Sequence, residues 1–263
     1  MTEQPPSKQI DTSVPHSARI WNYWLGGNDN YAVDRAAGDR YREINPGIVE
    51  TARASRAFIG RAVRYLVGEA GLRQLLDIGT GLPTVDNTHE IAQRVAPECR
   101  IVYVDNDPLV LAHARALLTS TPEGRTDYID ADAREPEQIV RAARELLDLS
   151  KPVGLMFMGM LAHIADYDQA RSVVRHILAA LPSGSYLAIY DGVNTNPASI
   201  EAQKNYQSTG AVPYVLRTPE QIAGFFEGLE LVEPGVVTIT RWRPDGPVTI
   251  PDRPAFGGVA RKP

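Results

Sequence analysis

Three aspartates, one of them beside a glycine turn, are the residues best suited to chemistry in this sequence. Asp77, Asp105 and Asp132 each stand at or just after the end of a short apolar run. The first is followed by a turn made of Gly79, Thr80 and Gly81. Glycine has no Cβ, so the backbone there can approach a ligand closely. Because carboxylates at such positions accept hydrogen bonds from ribose hydroxyls and amino groups, the pattern predicts a nucleotide-like cofactor.

Two cofactors are compatible with such a turn, and the neighbouring residues distinguish them. A dinucleotide motif has glycine at its sixth position for close helix packing, but here that position is Thr84, preceded by Pro83. The carboxylate of Asp77 would repel a pyrophosphate and attract an ammonium group. S-adenosylmethionine has that ammonium, together with a ribose for Asp105 and an adenine amino group for Asp132. The residues therefore favour S-adenosylmethionine over a nicotinamide dinucleotide.

Further candidate site residues lie at predicted strand ends and near the N-terminus. The cofactor-binding set is completed by Asn106, Ala133 and Met158. Methyl transfer to oxygen or nitrogen often needs a general base, and the candidates are His163, Asp29 and Tyr31. A partly buried histidine satisfied by its neighbours, and an aspartate in a turn, are the alternative interpretations of His163 and Asp29. The histidines show no metal-ligand spacing, so no metal site is predicted.

The segment from residue 15 to residue 31 is unusually aromatic and contains the run Gly-Gly-Asn-Asp-Asn. Ser17, Ile20, Tyr23 and Trp24 could share one face of a helix, which Gly26 and Gly27 would end. One interpretation is an aromatic helix packed on the core. The other is a lid over the cofactor pocket, in which Tyr23, Gly26 and Gly27 contact the cofactor.

Short apolar runs alternate with helical patterns through the middle of the chain. Strands are predicted at 73–78, 100–105, 126–132, 153–158 and 185–191, and helices at 108–118, 135–149 and 167–181. This alternation is typical of a parallel sheet with helices on both faces. Helical patterns also cover 34–43, 48–70, 197–207 and 219–226. An edge strand interrupted by Pro234 and Gly235 is predicted at 229–239, and a final strand at 256–260.

The composition is ordinary for a soluble globular protein, with 263 residues, 43% hydrophobic content and a net charge of −5. The negative charge argues against nucleic-acid binding, and no apolar stretch resembles a signal peptide or a membrane span. The single Cys99 fits a reducing compartment, so we predict a cytoplasmic protein without nucleic-acid or membrane partners. We expect a flexible tail at 1–14 and a single domain at 15–263, in which a helical lid at 15–70 precedes a cofactor-binding core at 71–263.

The motif at 77–81, Asp-Ile-Gly-Thr-Gly, resembles motif I of class I S-adenosylmethionine-dependent methyltransferases. Asp105 and Asp132 fall where the second and third motifs of that superfamily lie. Nearly the whole chain resembles an actinobacterial S-adenosyl methyltransferase family formerly catalogued as a domain of unknown function. The run Leu-Gly-Gly-Asn-Asp-Asn at 25–30 is the most specific part of this resemblance. Pro83 replaces the third motif-I glycine of the superfamily, as it does in the narrower family.

The resemblance implies an α/β, Rossmann-like class I methyltransferase fold with a mostly parallel seven-stranded sheet, an antiparallel last strand and an N-terminal helical lid. It also implies S-adenosylmethionine as methyl donor and S-adenosylhomocysteine as product. We therefore predict methyl transfer to a small-molecule acceptor, whose identity the sequence leaves open together with the oligomeric state. An S-adenosylmethionine-binding regulatory protein without catalysis, and a nicotinamide-dependent oxidoreductase, are the alternatives.

Overall fold

The computed structural model describes residues 10–84, 86–117, 119–247 and 250–263. Residues 1–9 of the predicted tail lie outside these ranges, as does Leu118, the last residue of the helix predicted at 108–118. At the start of the described chain, the backbone carbonyls of Asp11 and Val14 accept hydrogen bonds from the guanidinium of Arg19. These contacts attach the segment to the first helix.

One sheet forms the centre of the described chain. Its strands are β1 (Gln74–Ile78), β2 (Arg100–Asp105), β3 (Arg125–Asp130), β4 (Gly154–Met158), β5 (Tyr186–Gly192), β6 (Glu230–Leu231), β7 (Val237–Thr238) and β8 (Ala255–Arg261). Their order is β3-β2-β1-β4-β5-β8-β6, and β7 also pairs with β8. β1 to β5 are parallel, and β8 is antiparallel to its neighbours. This arrangement confirms the predicted fold class, and its switch point between β1 and β4 is where open α/β sheets bind ligands.

The sheet has eight described strands rather than the seven predicted. The edge strand predicted at 229–239 is divided into β6 and β7, each paired with β8. Between them Gly235 adopts a φ of +85°, and its N–H donates a hydrogen bond to the carbonyl of Val232 at 2.8 Å. Pro234 has no N–H to give to a strand ladder. The chain therefore leaves the sheet in a turn and returns to it.

Nine α-helices pack around the sheet in the part of the chain that the structure describes. They are α1 (Ser17–Trp24), α2 (Ala32–Ile44), α3 (Ile48–Arg64), α4 (Thr88–Val95), α5 (Pro108–Leu117), α6 (Pro136–Leu146), α7 (Tyr167–Ala179), α8 (Pro197–Gln207) and α9 (Pro219–Ala223). A π-helical turn (Tyr65–Glu69) extends α3, and 3₁₀ turns cover Leu161–His163 and Gly224–Phe226. None of these helices is long and apolar enough to cross a membrane.

Two apolar cores lie on the two faces of the sheet, because successive residues of a strand point to opposite sides. Leu76 and Val102 belong to the core that α6 and α7 cover. Leu75 and Ile101 belong to the other, which α3 and α4 cover and which contains the fully buried Trp242. Both faces of β1, β2, β4 and β5 are thus largely removed from water, which accounts for their mostly apolar sequences.

Helix α4 was not predicted, although the sequence carries a signal for it. The side chain of Asn87 and that of Glu90 form a capping box at its N-terminus, with Asn87 N–H donating to Glu90 at 2.7 Å. An asparagine followed three residues later by a glutamate is a known start signal for a helix. The helix is only eight residues long, so it offers barely two turns over which an apolar pattern can repeat. Its first residue, Thr88, reaches the predicted cofactor site.

The N-terminal helices α1 and α2 pack against α8 through a third apolar cluster that includes Ile20, Tyr41 and Tyr206. A buried ion pair fixes the two helices to each other, with Arg19 Nε 3.1 Å from the carboxylate of Asp34. The same carboxylate accepts hydrogen bonds from the backbone N–H groups of His16 and Tyr31. This packing brings α1 over the carboxyl ends of the strands.

Candidate active site

A cavity of about 360 Å³ lies between the carboxyl ends of β1 to β4 and the helices α1 and α8. This volume falls in the range of small-molecule pockets. Its lining includes ten of the predicted site residues, namely Asp77, Gly79, Thr80, Gly81, Asp105, Asn106, Asp132, Ala133, Met158 and His163. The parallel register of β1, β2 and β3 brings the three aspartates to one edge.

The glycine turn is fixed by its neighbours. Gly79 and Gly81 have φ angles of +72° and +68°, a region that favours glycine. A Cβ on Gly79 would lie 2.6 Å from Cγ of Met160, so no larger residue fits there without a shift. The N–H of Gly81 donates to Oδ2 of Asp105 at 2.8 Å. The second aspartate thus holds the turn that follows the first.

Asp77 is a buried carboxyl group in the cavity wall. Its Oδ2 accepts a hydrogen bond of 2.8 Å from the hydroxyl of Thr88 on α4. Burial raises the pKa of Asp77 to about 6, while the Thr88 hydrogen bond and the charge of Arg56 act in the opposite direction. At neutral pH the group is mostly an anion with little solvent around it, which suits it to bind a cation. Thr88 could be identified as a partner of Asp77 only from a correct prediction of helix α4.

Asp105 and Asp132 are connected through hydrogen bonds of Asn106. Burial raises the pKa of Asp105, although N–H groups of Asp107, Gly81 and Asn106 stabilise its charged form. The side-chain amide of Asn106 donates to Asp132 at 3.2 Å.

The guanidinium of Arg134 binds both carboxylate oxygens of Asp132. It donates to Asp132 Oδ1 through Nε at 2.9 Å and to Oδ2 through Nη2 at 2.6 Å. These bonds lower the pKa of Asp132. Arg134 also lines the cavity, and the sequence expectations did not include it. An arginine two residues after a strand-end aspartate was the available signal.

His163 lies in the 3₁₀ turn after β4 and faces the cavity. Its Nδ1 is 2.9 Å from the carbonyl oxygen of Pro213. Because a carbonyl only accepts, the neutral tautomer that satisfies this contact carries its proton on Nδ1 and has a lone pair on Nε2. Burial lowers the pKa of His163, which keeps the ring neutral at pH 7. The ring of Tyr214 packs edge-on against it, with centroids 5.1 Å apart.

Three residues predicted to contact the cofactor from the lid lie outside the cavity lining. Tyr23 points to the surface, where its hydroxyl donates to Asp39 at 2.8 Å. Gly26, with a φ of +83°, ends α1. Gly27 packs on the side chain of Asn22, where a Cβ would lie 2.4 Å from Nδ2. In this structure the glycines serve the turn after the helix.

The two candidate bases near the N-terminus also lie outside the lining. Asp29 is 3.4 Å from Nε2 of His113. Tyr31 packs against a small apolar cluster that includes Leu82, and the guanidinium of Arg19 lies 5.2 Å from its ring centre. Of the three candidates, His163 is the one that the fold brings to the cavity.

Other residues of α1 meet the cavity. Ser17, Trp21 and Trp24 line it at helical spacing. His16, at the start of the helix, also lines it and has Nδ1 3.1 Å from Oδ2 of Asp107. The predicted proximity of the aromatic segment to the glycine turn is therefore present, but through residues other than Tyr23, Gly26 and Gly27.

The part of the wall that comes from α8 and the following loop was not predicted. It contains Gln203 and Tyr206 of α8 and Tyr214 of the following loop. The Nε2 atom of Gln203 and the hydroxyl of Tyr206 are buried and have no hydrogen-bond partner. The hydroxyl of Tyr214 donates to buried Asp191 at 2.8 Å. Among the described residues, no group of three His, Cys, Asp or Glu side chains could hold a metal ion.

The sequence matches the family model for S-adenosyl methyltransferases over residues 3–263. A DUF574 family protein from Streptomyces avermitilis MA-4680 is 47% identical, with a TM-score of 0.93 over 97% of this chain and 100% of that one. A candidate methyltransferase from Thermobifida fusca YX is 42% identical, with a TM-score of 0.89 over 96% of each chain.

A more distant structure shares the fold alone. The SAM-dependent methyltransferase from Anabaena variabilis ATCC 29413 is 15% identical, with a TM-score of 0.51 over 99% of this chain and 100% of that one. No curated protein matches the sequence. The family model covers almost the full length, and both similar structures cover it at more than 40% identity. The chain therefore belongs to the S-adenosyl methyltransferase family.

Proposed function

We propose that this protein transfers a methyl group from S-adenosylmethionine, bound at the carboxyl ends of β1 to β3, to an oxygen or nitrogen atom of a small molecule bound between His163 and α8. One observation carries the proposal. A single cavity joins three strand-end aspartates to a histidine whose Nε2 is free to accept a proton. A cytoplasmic location stays a prediction of the sequence.

The residues on the donor side fit S-adenosylmethionine. Asp77 offers an anion for the ammonium group, and Asp105 offers carboxylate oxygens for the ribose hydroxyls. The hydroxyl of Tyr128 also lines this region and is buried without a partner, so a ligand can satisfy it. The turn at 79–81 allows the backbone to approach the ligand. Asp132 would share its oxygens between Arg134 and the adenine amino group.

His163 acts as the general base in this proposal. The bound donor supplies an electrophilic methyl group on a sulfonium and leaves as S-adenosylhomocysteine. Nε2 of His163 takes the proton that the acceptor oxygen or nitrogen loses as the new bond to the methyl carbon forms. The carbonyl of Pro213 and the ring of Tyr214 hold the imidazole in place. Orientation of this kind supplies much of the rate enhancement of a displacement reaction.

The shape of the cavity supports a small acceptor. α1 covers the strand ends, and α8 closes the opposite side. The cavity of about 360 Å³ lies in the range of small-molecule pockets, and Trp21, Trp24 and Tyr206 line it. We therefore assign a metabolite-sized acceptor rather than a nucleic acid or a protein.

Calorimetry and product analysis test the proposal together. We expect saturable binding of S-adenosylmethionine, and formation of S-adenosylhomocysteine when the protein is offered a panel of hydroxyl- and amine-bearing metabolites. For an acceptor that turns over, H163A should lower kcat by about 10²–10⁴-fold without changing the Kd for the donor.

The matched control is H176A, since His176 is exposed and lies away from the cavity, near Glu137. It should behave as the unmodified protein does. Failure to bind S-adenosylmethionine would refute the proposed donor site. Equal turnover by H163A and H176A would refute the assigned base, and donor binding without product from any panel member would favour a regulatory protein.

A further inference from the structure

We infer that the acceptor is an uncharged, planar ring compound that carries the hydroxyl to be methylated and a second oxygen that accepts a hydrogen bond from Gln203. The inference rests on the proposed function and specifies its substrate class. It depends on three properties of the cavity beyond the donor site: the placement of charge, the aromatic walls, and two unpaired polar atoms on α8.

The charged side chains of the cavity lie on the donor side. Among the described lining residues, the Asp and Arg side chains are those of Arg56, Asp77, Asp105, Asp132 and Arg134. Arg56 belongs there because its charge acts on Asp77 and its guanidinium donates to the carbonyl of Asp86 at 2.6 Å.

The other walls of the cavity carry no such charge. The lining residues from α1, α2, α8 and the loop at 212–216 include no Asp, Glu, Lys or Arg in the described chain. A charged acceptor would lose its water there without meeting a counterion among these lining residues, which is strongly unfavourable. A neutral acceptor avoids that cost.

Aromatic rings form much of these walls. The rings of Trp21 and Trp24 have centroids 5.6 Å apart, and those of Trp24 and Tyr41 have centroids 5.2 Å apart. Tyr206 and Tyr214 line the other side. Planar ring ligands gain most from such surfaces, because their faces and edges pack against aromatic side chains.

Two polar atoms on α8 need a partner. Gln203 and Tyr206 are one helical turn apart and are 7% and 9% exposed. The Nε2 of Gln203 is a donor, and the Tyr206 hydroxyl is held in its neutral form because burial raises its pKa. A buried polar atom without a partner is costly. A carbonyl or hydroxyl oxygen on the ligand restores the missing hydrogen bonds, which is why the acceptor needs a second oxygen.

The chemistry of a ring hydroxyl matches the assigned base. A phenol-type hydroxyl has a pKa of about 10, so it reaches the site uncharged and must lose its proton during transfer. The O–CH₃ bond forms as the S–CH₃ bond breaks, and the hydroxyl proton moves to Nε2 of His163. The products are a neutral methyl ether, S-adenosylhomocysteine and a protonated histidine that returns its proton to solvent.

Binding of three matched ring compounds to the protein saturated with S-adenosylhomocysteine tests the inference without turnover. The probes are 4-hydroxyacetophenone, which is neutral, 4-hydroxybenzoate, which is an anion, and tyramine, which is a cation. Calorimetry should give a Kd for the neutral probe at least tenfold below the Kd of either ion. Q203L should raise the Kd of 4-hydroxyacetophenone about tenfold and leave that of phenol, which lacks the second oxygen, nearly unchanged.

The matched control is Q207L, since Gln207 is exposed at the C-terminal end of the same helix and does not line the cavity. Q203L removes an atom that has no partner, so its Tm should not fall below that of the unmodified protein. Y206F is the second variant, and it should also weaken binding of the neutral probe. Equal binding of the ions, equal effects of Q203L and Q207L, or no binding by any probe would overturn the inference. Failure to bind S-adenosylhomocysteine would overturn the proposed function as well, which separates the two failures.

Discussion

Asp77 illustrates how the surroundings of one side chain determine its chemistry. The sequence places an acid before a glycine turn, but the buried position and the Thr88 hydrogen bond are properties of the fold. Together with the charge of Arg56 they leave the carboxyl group with a pKa of about 6. Its charge therefore changes within the pH range in which the protein can be studied.

We expect donor binding to depend on pH through Asp77. The ammonium group of S-adenosylmethionine binds the ionised carboxylate, so affinity is present above the pKa and is lost as pH falls through it. With a pKa of about 6, the ionised fraction rises from about one tenth at pH 5 to about nine tenths at pH 7. The Kd measured by calorimetry should fall about tenfold over this range.

The variant D77N should bind the donor more weakly at pH 7 and lose the pH dependence. Asparagine keeps an acceptor for Thr88 but carries no charge. The control D245N changes an exposed acid that pairs with Arg64 on the surface, and its binding curve should match that of the unmodified protein. A pH-dependent Kd in D77N would show that another group titrates.

The strand-end acids were predictable because elements with strong local signals position them. β1 and β2 are apolar runs with an aspartate at or next to their last residue, and parallel pairing brings these ends together. Gln203 could not be predicted as a site residue, since α8 is remote in sequence from the glycine turn. Its position depends on packing between α2 and α8 through Tyr41 and Tyr206.

Helix α1 shows which part of an element the sequence determines. The helix and its end at Gly26 follow from residue types and agree with the structure. The face that meets the cavity does not follow, because aromatic residues occur on both sides. Trp21 and Trp24 line the cavity, whereas Tyr23 is bonded to Asp39 on α2.

Alanine substitutions of Trp21 and of Tyr23 test which of these two residues contacts the ligand. W21A should raise the Kd of 4-hydroxyacetophenone about tenfold in the protein saturated with S-adenosylhomocysteine, because it removes an aromatic wall of the cavity. Y23A, two residues away on the same helix, removes a surface contact and should change this Kd less than twofold. A larger effect of Y23A than of W21A would instead support the prediction that Tyr23 belongs to a lid over the pocket.

At the scale of the whole molecule, we propose that residues 15–263 form one folding unit, with the N-terminal helices as part of it. Phe58 and Leu66, from the region assigned to the lid, share a core with Leu75 of β1. α1 and α2 pack on α8, which follows β5. Apolar contacts thus connect both predicted subdivisions, and we expect them to unfold together.

The buried pair of Arg19 and Asp34 tests this cooperativity. D34N leaves the guanidinium of Arg19 buried without its anion and places an amide N–H₂ near the backbone N–H of Tyr31, so we expect a loss of about 3–5 kcal/mol in the free energy of unfolding. D39N, on the exposed side of the same helix, should cost less than about 0.5 kcal/mol. If the chain is one unit, urea unfolding followed by tryptophan fluorescence and by circular dichroism should give coincident single transitions, shifted to lower urea in D34N. Two separate transitions, or equal midpoints for D34N and D39N, would mean that the N-terminal helices fold independently of the sheet.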